Sequence, residues 1–255
     1  MAQIMEHETR QIDAAHASGH GPIVDSERAG EETRARRAAT TTLSRKLTVE
    51  FIGTFFLVFT VGTATNPKTG AGTLAPLAIG AALMVMVFAG GHISGGHYNP
   101  AVSTAVLIRG KLSREQWVSY VAIQLAAGAL GGLLARAVVG AGHAAGPADT
   151  WKILIVESVF TFALAYVVLN VATASKTEGN SFYGLAIGFT VVVGAFAVGG
   201  VSGGAFNPAV AVGASVLGIL SWSHLWIYVL AALLGGPLAA ITFLYVDPTA
   251  NSPEQ

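Results

Sequence analysis

The sequence contains no cysteine and little charge. None of the 255 residues is cysteine, so a disulfide framework and a thiolate metal site are both excluded. Only 11% of the residues are charged, whereas an average soluble domain is about 25% charged. In contrast, 53% of the residues are hydrophobic. This composition predicts a membrane protein.

The few charges are distributed unevenly. Residues 1–46 hold seven of the fourteen Lys and Arg residues and seven of the fourteen Asp and Glu residues. This polar stretch lacks the basic, apolar and small-residue order of a signal peptide, and we interpret it as a disordered cytoplasmic tail. Its histidines are irregularly spaced, which favours solvated side chains over a metal site. Residues 247–255 form a second short tail.

Six apolar stretches are long enough to cross a bilayer, which needs roughly 20 helical residues. They lie near residues 47–65, 73–91, 115–139, 151–173, 181–200 and 222–246. Most basic residues outside the tail fall in segments that share one side of the membrane. By the positive-inside rule, both termini are then cytoplasmic, and we expect a multi-pass protein of the cell membrane.

Two further stretches, residues 92–108 and 202–217, begin with glycine and continue as short apolar helices. Ten residues, from position 99 to position 108, make about 15 Å of helix, half the hydrocarbon core. Such re-entrant half-helices are tolerated in a membrane only where they are buried in protein or line a wet cavity.

These stretches belong to an internal repeat. SGGHYNPAV at residues 94–102 matches SGGAFNPAV at residues 202–210 in seven of nine positions, 108 residues apart. Glu50 and Glu157 repeat with a spacing of 107 residues. Three spans and a half-helix per repeat require the second repeat to be inverted, which places the functional site at the midplane. The predicted fold is an all-α membrane protein of six helices and two half-helices, an inverted 3+3 repeat. Its channel domain covers residues 47–246, with repeats at about 47–139 and 151–246.

Each Asn-Pro-Ala motif predicts a helix start. Asn is a good N-cap and Pro suits the first turn, so the two half-helices present their N-termini to the midplane, where their dipoles oppose cations. A single copy would be a weak signal, but two copies at matching places in two matched halves predict a pore. The six midplane residues are Asn99, Pro100, Ala101, Asn207, Pro208 and Ala209.

Two other functions compete with a passive pore. A coupled transporter or ion channel needs charged groups near the midplane, and Glu50 and Glu157 are the only acidic candidates within the spans. A membrane enzyme could use Ser94 with neighbouring histidines, but Ser202 recurs with Ala205 in place of His97. We therefore expect no enzyme, and no cofactor, metal or nucleic-acid partner.

The segment GHISGGHYNPAV at residues 91–102 resembles the first signature loop of the major intrinsic protein (aquaporin) family. The resemblance implies a pore in every subunit of a homotetramer in lipid, with Asn99 and Asn207 in the pore. It also implies that Glu50 and Glu157 support the two loops and that Gln124 helps to pin the first loop. His92 resembles a vestibule residue, and His97 either pins the loop or lines the pore.

The chain departs from that family where most members have arginine after the second motif. Val210 occupies that position. Family spacing implies a selectivity filter of Ile79, Ala195, Gly204 and Val210, which is wide, apolar and uncharged. GGAFNPAV at residues 203–210 looks most like plant vacuolar, tonoplast-type members. We expect a channel for water and small neutral solutes such as ammonia, hydrogen peroxide, urea or glycerol.

Overall fold

The structure is a computed structural model that describes residues 42–144 and 149–247. The chain divides into two units, Met1–Thr42 and Leu43–Gln255, and the helices of the described residues all lie in the second. The predicted tails at 1–46 and 247–255 fall almost entirely outside the described residues. The first helix begins at Leu43, four residues before the predicted start.

Six long helices and two short ones make up the described part of the second unit. The long helices are α1 (Leu43–Ala64), α2 (Ala75–Ser94), α4 (Arg114–Val139), α5 (Thr150–Ala172), α6 (Tyr183–Ser202) and α8 (Leu225–Val246). The short helices are α3 (Pro100–Ile108) and α7 (Pro208–Leu217). Each long helix is apolar and long enough to cross a membrane. The all-α fold with six spans and two half-helices is therefore confirmed.

The second and fifth spans run further than predicted. The helix α2 continues to Ser94 and α6 continues to Ser202, past the predicted ends at Gly91 and Gly200. Glycine is frequent in transmembrane helices, so it did not end either span. A glycine in the left-handed conformation ends each helix instead, Gly95 with φ 93° and Gly203 with φ 89°.

Capping side chains begin several helices. Ser113 and Gln116 form a reciprocal capping box at the start of α4. At the start of α5, Asp149 accepts hydrogen bonds from the backbone N–H groups of Trp151 and Lys152. The Lys152 side chain, whose Nζ lies 3.2 Å from Asp149 Oδ2, also holds the pKa of that carboxyl below its ordinary value.

The repeat is visible in the helix boundaries and in the packing. Residues 75–94 of α2 correspond to residues 183–202 of α6, 108 positions later. The two helices meet at Gly80 and Gly188, which are also 108 positions apart. A Cβ atom on Gly80 would lie 2.6 Å from the Gly188 carbonyl oxygen, and one on Gly188 would lie 2.5 Å from that of Gly80. Equivalent residues in reciprocal contact indicate a pseudo-twofold axis at this crossing.

The short helices are held by close contact with α4 and α8. A Cβ atom at Gly128 of α4 would lie 2.3 Å from the carbonyl oxygen of Ala209. Its equivalent, Gly236 of α8, packs against Ala101, where a Cβ atom would lie 2.8 Å from the carbonyl oxygen. The backbone approach that glycine permits therefore fixes the first turn of each short helix inside the bundle.

Candidate pore

The N-termini of α3 and α7 meet in the centre of the protein. Asn99 donates from Nδ2 to the carbonyl oxygen of Phe206 at 2.9 Å, and Asn207 donates from Nδ2 to that of Tyr98 at 2.8 Å. Each asparagine Oδ1 accepts from the backbone of its own helix, as expected for an N-cap. Because an amide carries two N–H donors, each asparagine has one more N–H than these bonds use.

The remaining motif residues begin the short helices. Pro100 and Pro208 occupy the first helical position, and Ala101 and Ala209 donate their backbone N–H to the capping oxygen at 2.8 and 2.9 Å. All four residues are buried. One N–H of each asparagine joins the two loops together.

The loops before the motifs adopt a strained conformation. Tyr98 has φ 47° and Phe206 has φ 49°, in the left-handed region that non-glycine residues rarely occupy. Such residues cost of order 1–3 kcal/mol each and persist only where surrounding interactions hold them. Both are almost completely buried, with 1% and 2% of their surface exposed.

A buried carboxylate holds the first loop. Glu50 Oε1 accepts from Ser94 Oγ at 2.7 Å and from the His97 backbone N–H at 3.0 Å, while Oε2 accepts from the Tyr98 N–H at 2.7 Å. Gln124 adds a fourth bond, from Nε2 to Oε2 at 2.8 Å. These charge-assisted bonds stabilise the loop conformation.

Glu157 holds the second loop in the same way with one donor fewer. Its Oε1 accepts from Ser202 Oγ at 2.6 Å and from the Ala205 N–H at 3.0 Å, and its Oε2 accepts from the Phe206 N–H at 2.7 Å. The structure thus brings Glu50 and Glu157 to the two loop backbones, whereas Gln124 contacts the side chains of Glu50 and Ser103.

Three residues around the two loops were not singled out from the sequence. Ser103 Oγ lies 3.0 Å from Gln124 Nε2 and 3.1 Å from His97 Nδ1. Tyr120 donates its hydroxyl to the Ser94 carbonyl oxygen at 2.7 Å, and Tyr228 donates to that of Ser202. The 108-residue spacing of the two tyrosines was a detectable signal for that pair. Nothing in the spacing pointed to Ser103, since Ala211 stands at the equivalent position.

A narrow central cavity lies between the loops and the long helices. Its volume is about 20 Å³, which leaves room for little more than one water molecule at a time. Asn99 and Asn207 line it, together with Ile79, Gly204 and Val210. Ala195 does not line it, although its Cα lies 3.5 Å from where a Cβ on Gly204 would be. Among the described residues, no Lys, Arg, Asp or Glu lines this cavity.

A larger cavity of about 240 Å³ lies beside the first loop. We call it the basic vestibule, since Lys46 and Lys111 line it and no Asp or Glu is among the described residues of its wall. His97 and Val168 line both the basic vestibule and the central cavity. His92 is exposed and is not among the residues that line these two cavities.

Known proteins resemble this chain over most of its length. The model of the "Major intrinsic protein" family matches residues 21–91 and 77–243. A "Glycerol uptake facilitator protein-like 6" from Lactiplantibacillus plantarum is 39% identical over 212 residues, which are 77% of this chain and 95% of that protein. "Aquaporin NIP1-4" from Oryza sativa is 34% identical over 219 residues, 82% of this chain and 80% of the relative. "Probable aquaporin TIP4-1" from Oryza sativa is 36% identical over 220 residues, 78% and 85% of the two chains.

The fold also matches a solved structure. The aquaglyceroporin from Plasmodium falciparum superposes with a TM-score of 0.68 and covers 83% of this chain and 100% of its own. The two sequences are 19% identical, so this likeness shows the shared fold.

Proposed function

This chain belongs to the major intrinsic protein family and is a passive channel for water and small solutes, and from that premise we propose that its selectivity filter is apolar and lacks a fixed cation. Ile79, Gly204 and Val210 line the central cavity, and Val210 is buried, with 6% of its surface exposed. We include Ala195, which packs close behind Gly204. The observation that carries the proposal is Val210 in the wall of this cavity.

An apolar filter selects solutes differently from a charged one. Water fits the central cavity, and a larger solute must displace side chains such as Ile79 and Val210, which no hydrogen bond holds in place. Ammonia, hydrogen peroxide, urea and glycerol are the additional solutes that we propose. The relative named as a glycerol uptake facilitator-like protein supports glycerol in particular.

Asn99 and Asn207 provide the polar contacts of the proposed pore. Each has an N–H donor beyond the bond to the opposite loop, and each caps a helix whose positive end faces the cavity. Donors and positive helix ends favour a neutral solute that brings a lone pair, and they oppose cations.

A coupled transporter or ion channel fits the geometry less well. Coupling would need a titratable carboxylate in contact with the permeation path. Glu50 accepts four hydrogen bonds and Glu157 accepts three, and neither lines the described cavities. Both carboxylates therefore support the loops.

The arrangement around Ser94 also disfavours an enzyme. Ser94 Oγ donates to Glu50, whereas His97 Nδ1 bonds to Ser103. His97 is thus not paired with Ser94 as the base of a nucleophile. The family's members are channels, and we propose that this chain has no enzymatic activity.

We further propose a homotetramer in the cell membrane with both termini in the cytoplasm. Lys46 and Lys111 share the vestibule at one end of the bundle, while Arg136 bonds to the carbonyl oxygen of Val216 near the end of α7. The clustering of basic residues around the vestibule favours the cytoplasm for that end. Lipid is the proposed partner of the exposed apolar side chains, and residues 47–246 remain the proposed channel domain.

Stopped-flow light scattering on proteoliposomes tests the proposed solutes. We expect water permeability above that of empty liposomes, and uptake of at least one of the four solutes. Planar bilayers should show no single-channel current. Swelling equal to that of empty liposomes for water and for every solute would contradict the channel, and a cation current would favour the rival reading.

A further inference from the structure

The two repeats differ at three polar positions near the pore. Each first-repeat residue has alanine 108 positions later in the chain. The polar residues are His97, Ser103 and Gln124, and their counterparts are Ala205, Ala211 and Ala232. All three polar side chains are buried, with Ser103 and Gln124 at 0% exposure.

These polar residues are not needed to shape the loop. The second loop, which lacks them, has nearly the same backbone: φ is 47° at Tyr98 and 49° at Phe206, and Asn99 and Asn207 both have φ −158°. Glu157 makes the same three loop bonds as Glu50 without a glutamine. Because burying polar groups is costly unless they gain partners, the extra network in the first repeat calls for a different role.

The network holds His97 in one orientation and one tautomer. Gln124 Nε2 donates to Glu50 Oε2 at 2.8 Å and to Ser103 Oγ at 3.0 Å. Ser103 has one hydroxyl hydrogen to donate, and His97 Nδ1 at 3.1 Å is nearer than Gln124 Oε1 at 3.4 Å. A hydrogen bond accepted at Nδ1 places the imidazole proton on Nε2.

His97 belongs to the walls of two cavities. It and Val168 are the residues that line both the central cavity and the basic vestibule. The corresponding residues of the opposite repeats are Ala205 and Val61, and both line the central cavity, but Ala205 has a smaller side chain than His97. The first repeat therefore narrows the path with an imidazole, and the second repeat does not.

We propose that solute selection occurs at the neck formed by His97 and Val168, with Ser103 and Gln124 as positioning residues. The proposal rests on the channel function and deepens it: the apolar positions around Val210 admit small neutral solutes, and the neck decides which of them continue. The neck combines the bulk of the imidazole with an Nε2–H donor, so it favours narrow solutes with acceptor lone pairs, such as water, over wider ones such as erythritol.

Reciprocal variants in proteoliposomes test the location of the neck. His97→Ala copies the second repeat, and Ala205→His copies the first. Erythritol is the wide probe and water the narrow one. We expect His97→Ala to raise the ratio of erythritol to water permeability by about fivefold, the factor given by roughly 1 kcal/mol of barrier, and Ala205→His to lower it. An unchanged ratio in His97→Ala would overturn the proposal.

Ser103→Ala tests the positioning role, and Ala211→Ser is its matched control in the other repeat. Nitrogen-15 NMR of the imidazoles, with His97 assigned by comparison with His97→Ala, reports the tautomer directly. We expect the Nε2–H form in the wild type, a mixture of tautomers with a higher erythritol ratio in Ser103→Ala, and restoration in Ser103→Thr. Ala211→Ser should change neither quantity.

A wild-type His97 with its proton on Nδ1, or a Ser103→Ala variant with unchanged spectrum and ratio, would overturn the positioning role. These outcomes are separate from a failure of the channel function. That failure appears as wild-type water permeability equal to empty liposomes, whereas the tautomer is measured without transport.

Discussion

Gly80 and Gly188 lie across the crossing of α2 and α6, each so near the other's carbonyl oxygen that neither position has space for a Cβ atom. The crossing brings together two helices that contribute Ile79, Ile187 and Val191 to the central cavity. Packing at these two glycines therefore sets the width of the path as well as the stability of the bundle.

Gly188→Ala should destabilise the protein by about 1–3 kcal/mol, the usual cost of adding a methyl group to a well-packed interior. Gly199→Ala is the matched control, because it lies on the same helix and a Cβ there meets no atom within 4 Å. Thermal unfolding in detergent measures both variants. Equal midpoints for the two variants would contradict the tight crossing.

Val210→Arg should place a positively charged side chain in the proposed filter. We expect glycerol permeability to fall by about tenfold, equivalent to about 1.4 kcal/mol of barrier, with water permeability largely retained. Val210→Met is the control for added bulk without charge. Stopped-flow measurements with both solutes separate the effects, and equal glycerol permeability in Val210→Arg and the wild type would mean that Val210 does not face the path.

Glu157→Gln should disrupt the second loop. The amide replaces an oxygen acceptor with an NH₂ donor, which then faces N–H or O–H donors from Ser202, Ala205 or Phe206. Hydrogen bonds to charged groups contribute about 1.5–3 kcal/mol each, so we expect a clear drop in the unfolding midpoint and loss of water permeability.

Glu115→Gln is the control for that variant. Glu115 is an exposed carboxylate in the first turn of α4, and its replacement should cost at most about 1 kcal/mol through the helix dipole. If Glu157→Gln behaved like Glu115→Gln, the carboxylate would not be holding the loop.

Asp149→Ala should loosen the first turn of α5 in a pH-dependent way. The pKa of the Asp149 carboxyl is lowered by its bond to Lys152, so its folded-state pKa lies below the unfolded value. Its stabilising contribution is present above the unfolded pKa and is lost as the pH falls through the folded one. Hydrogen exchange at the Trp151 and Lys152 amides should differ between variant and wild type at neutral pH and converge in acid. If the exchange rates of Asp149→Ala and the wild type still differed at low pH, the cap would not depend on the ionised carboxylate.

Much of the fold could be predicted because hydropathy and repetition are local properties of the sequence. The six spans follow from apolar length, and the two short helices follow from Asn-Pro at a helix start. Helix ends were less predictable: the predicted spans end at Gly91 and Gly200, yet the helices continue to Ser94 and Ser202. Glycine propensity measured in water does not decide a helix end where the backbone has no water to bond.

The site was predictable in its residues and less so in its contacts. Asn99, Asn207 and Val210 line one cavity together with Ile79 and Gly204, whereas Ala195 does not line it. His92 and His97 could not be separated by sequence, since both occur in the same loop region. His92 is exposed on α2, whereas His97 faces Ser103, and only the turn of the chain at Gly95 and Gly96 distinguishes them.

The paired Asn-Pro-Ala motifs, by sequence alone, determined that two helices begin at the centre of an inverted repeat, because capping chemistry and span counting need no tertiary contact. The tertiary structure alone decided which distant residues contact each other. Bonds across 107 and 109 positions join Asn99 to Phe206 and Asn207 to Tyr98. The contact of His97 with Ser103 and Gln124 likewise depends on three separate elements meeting. Such contacts form because the folded backbone brings distant residues together, and no periodicity or spacing encodes them.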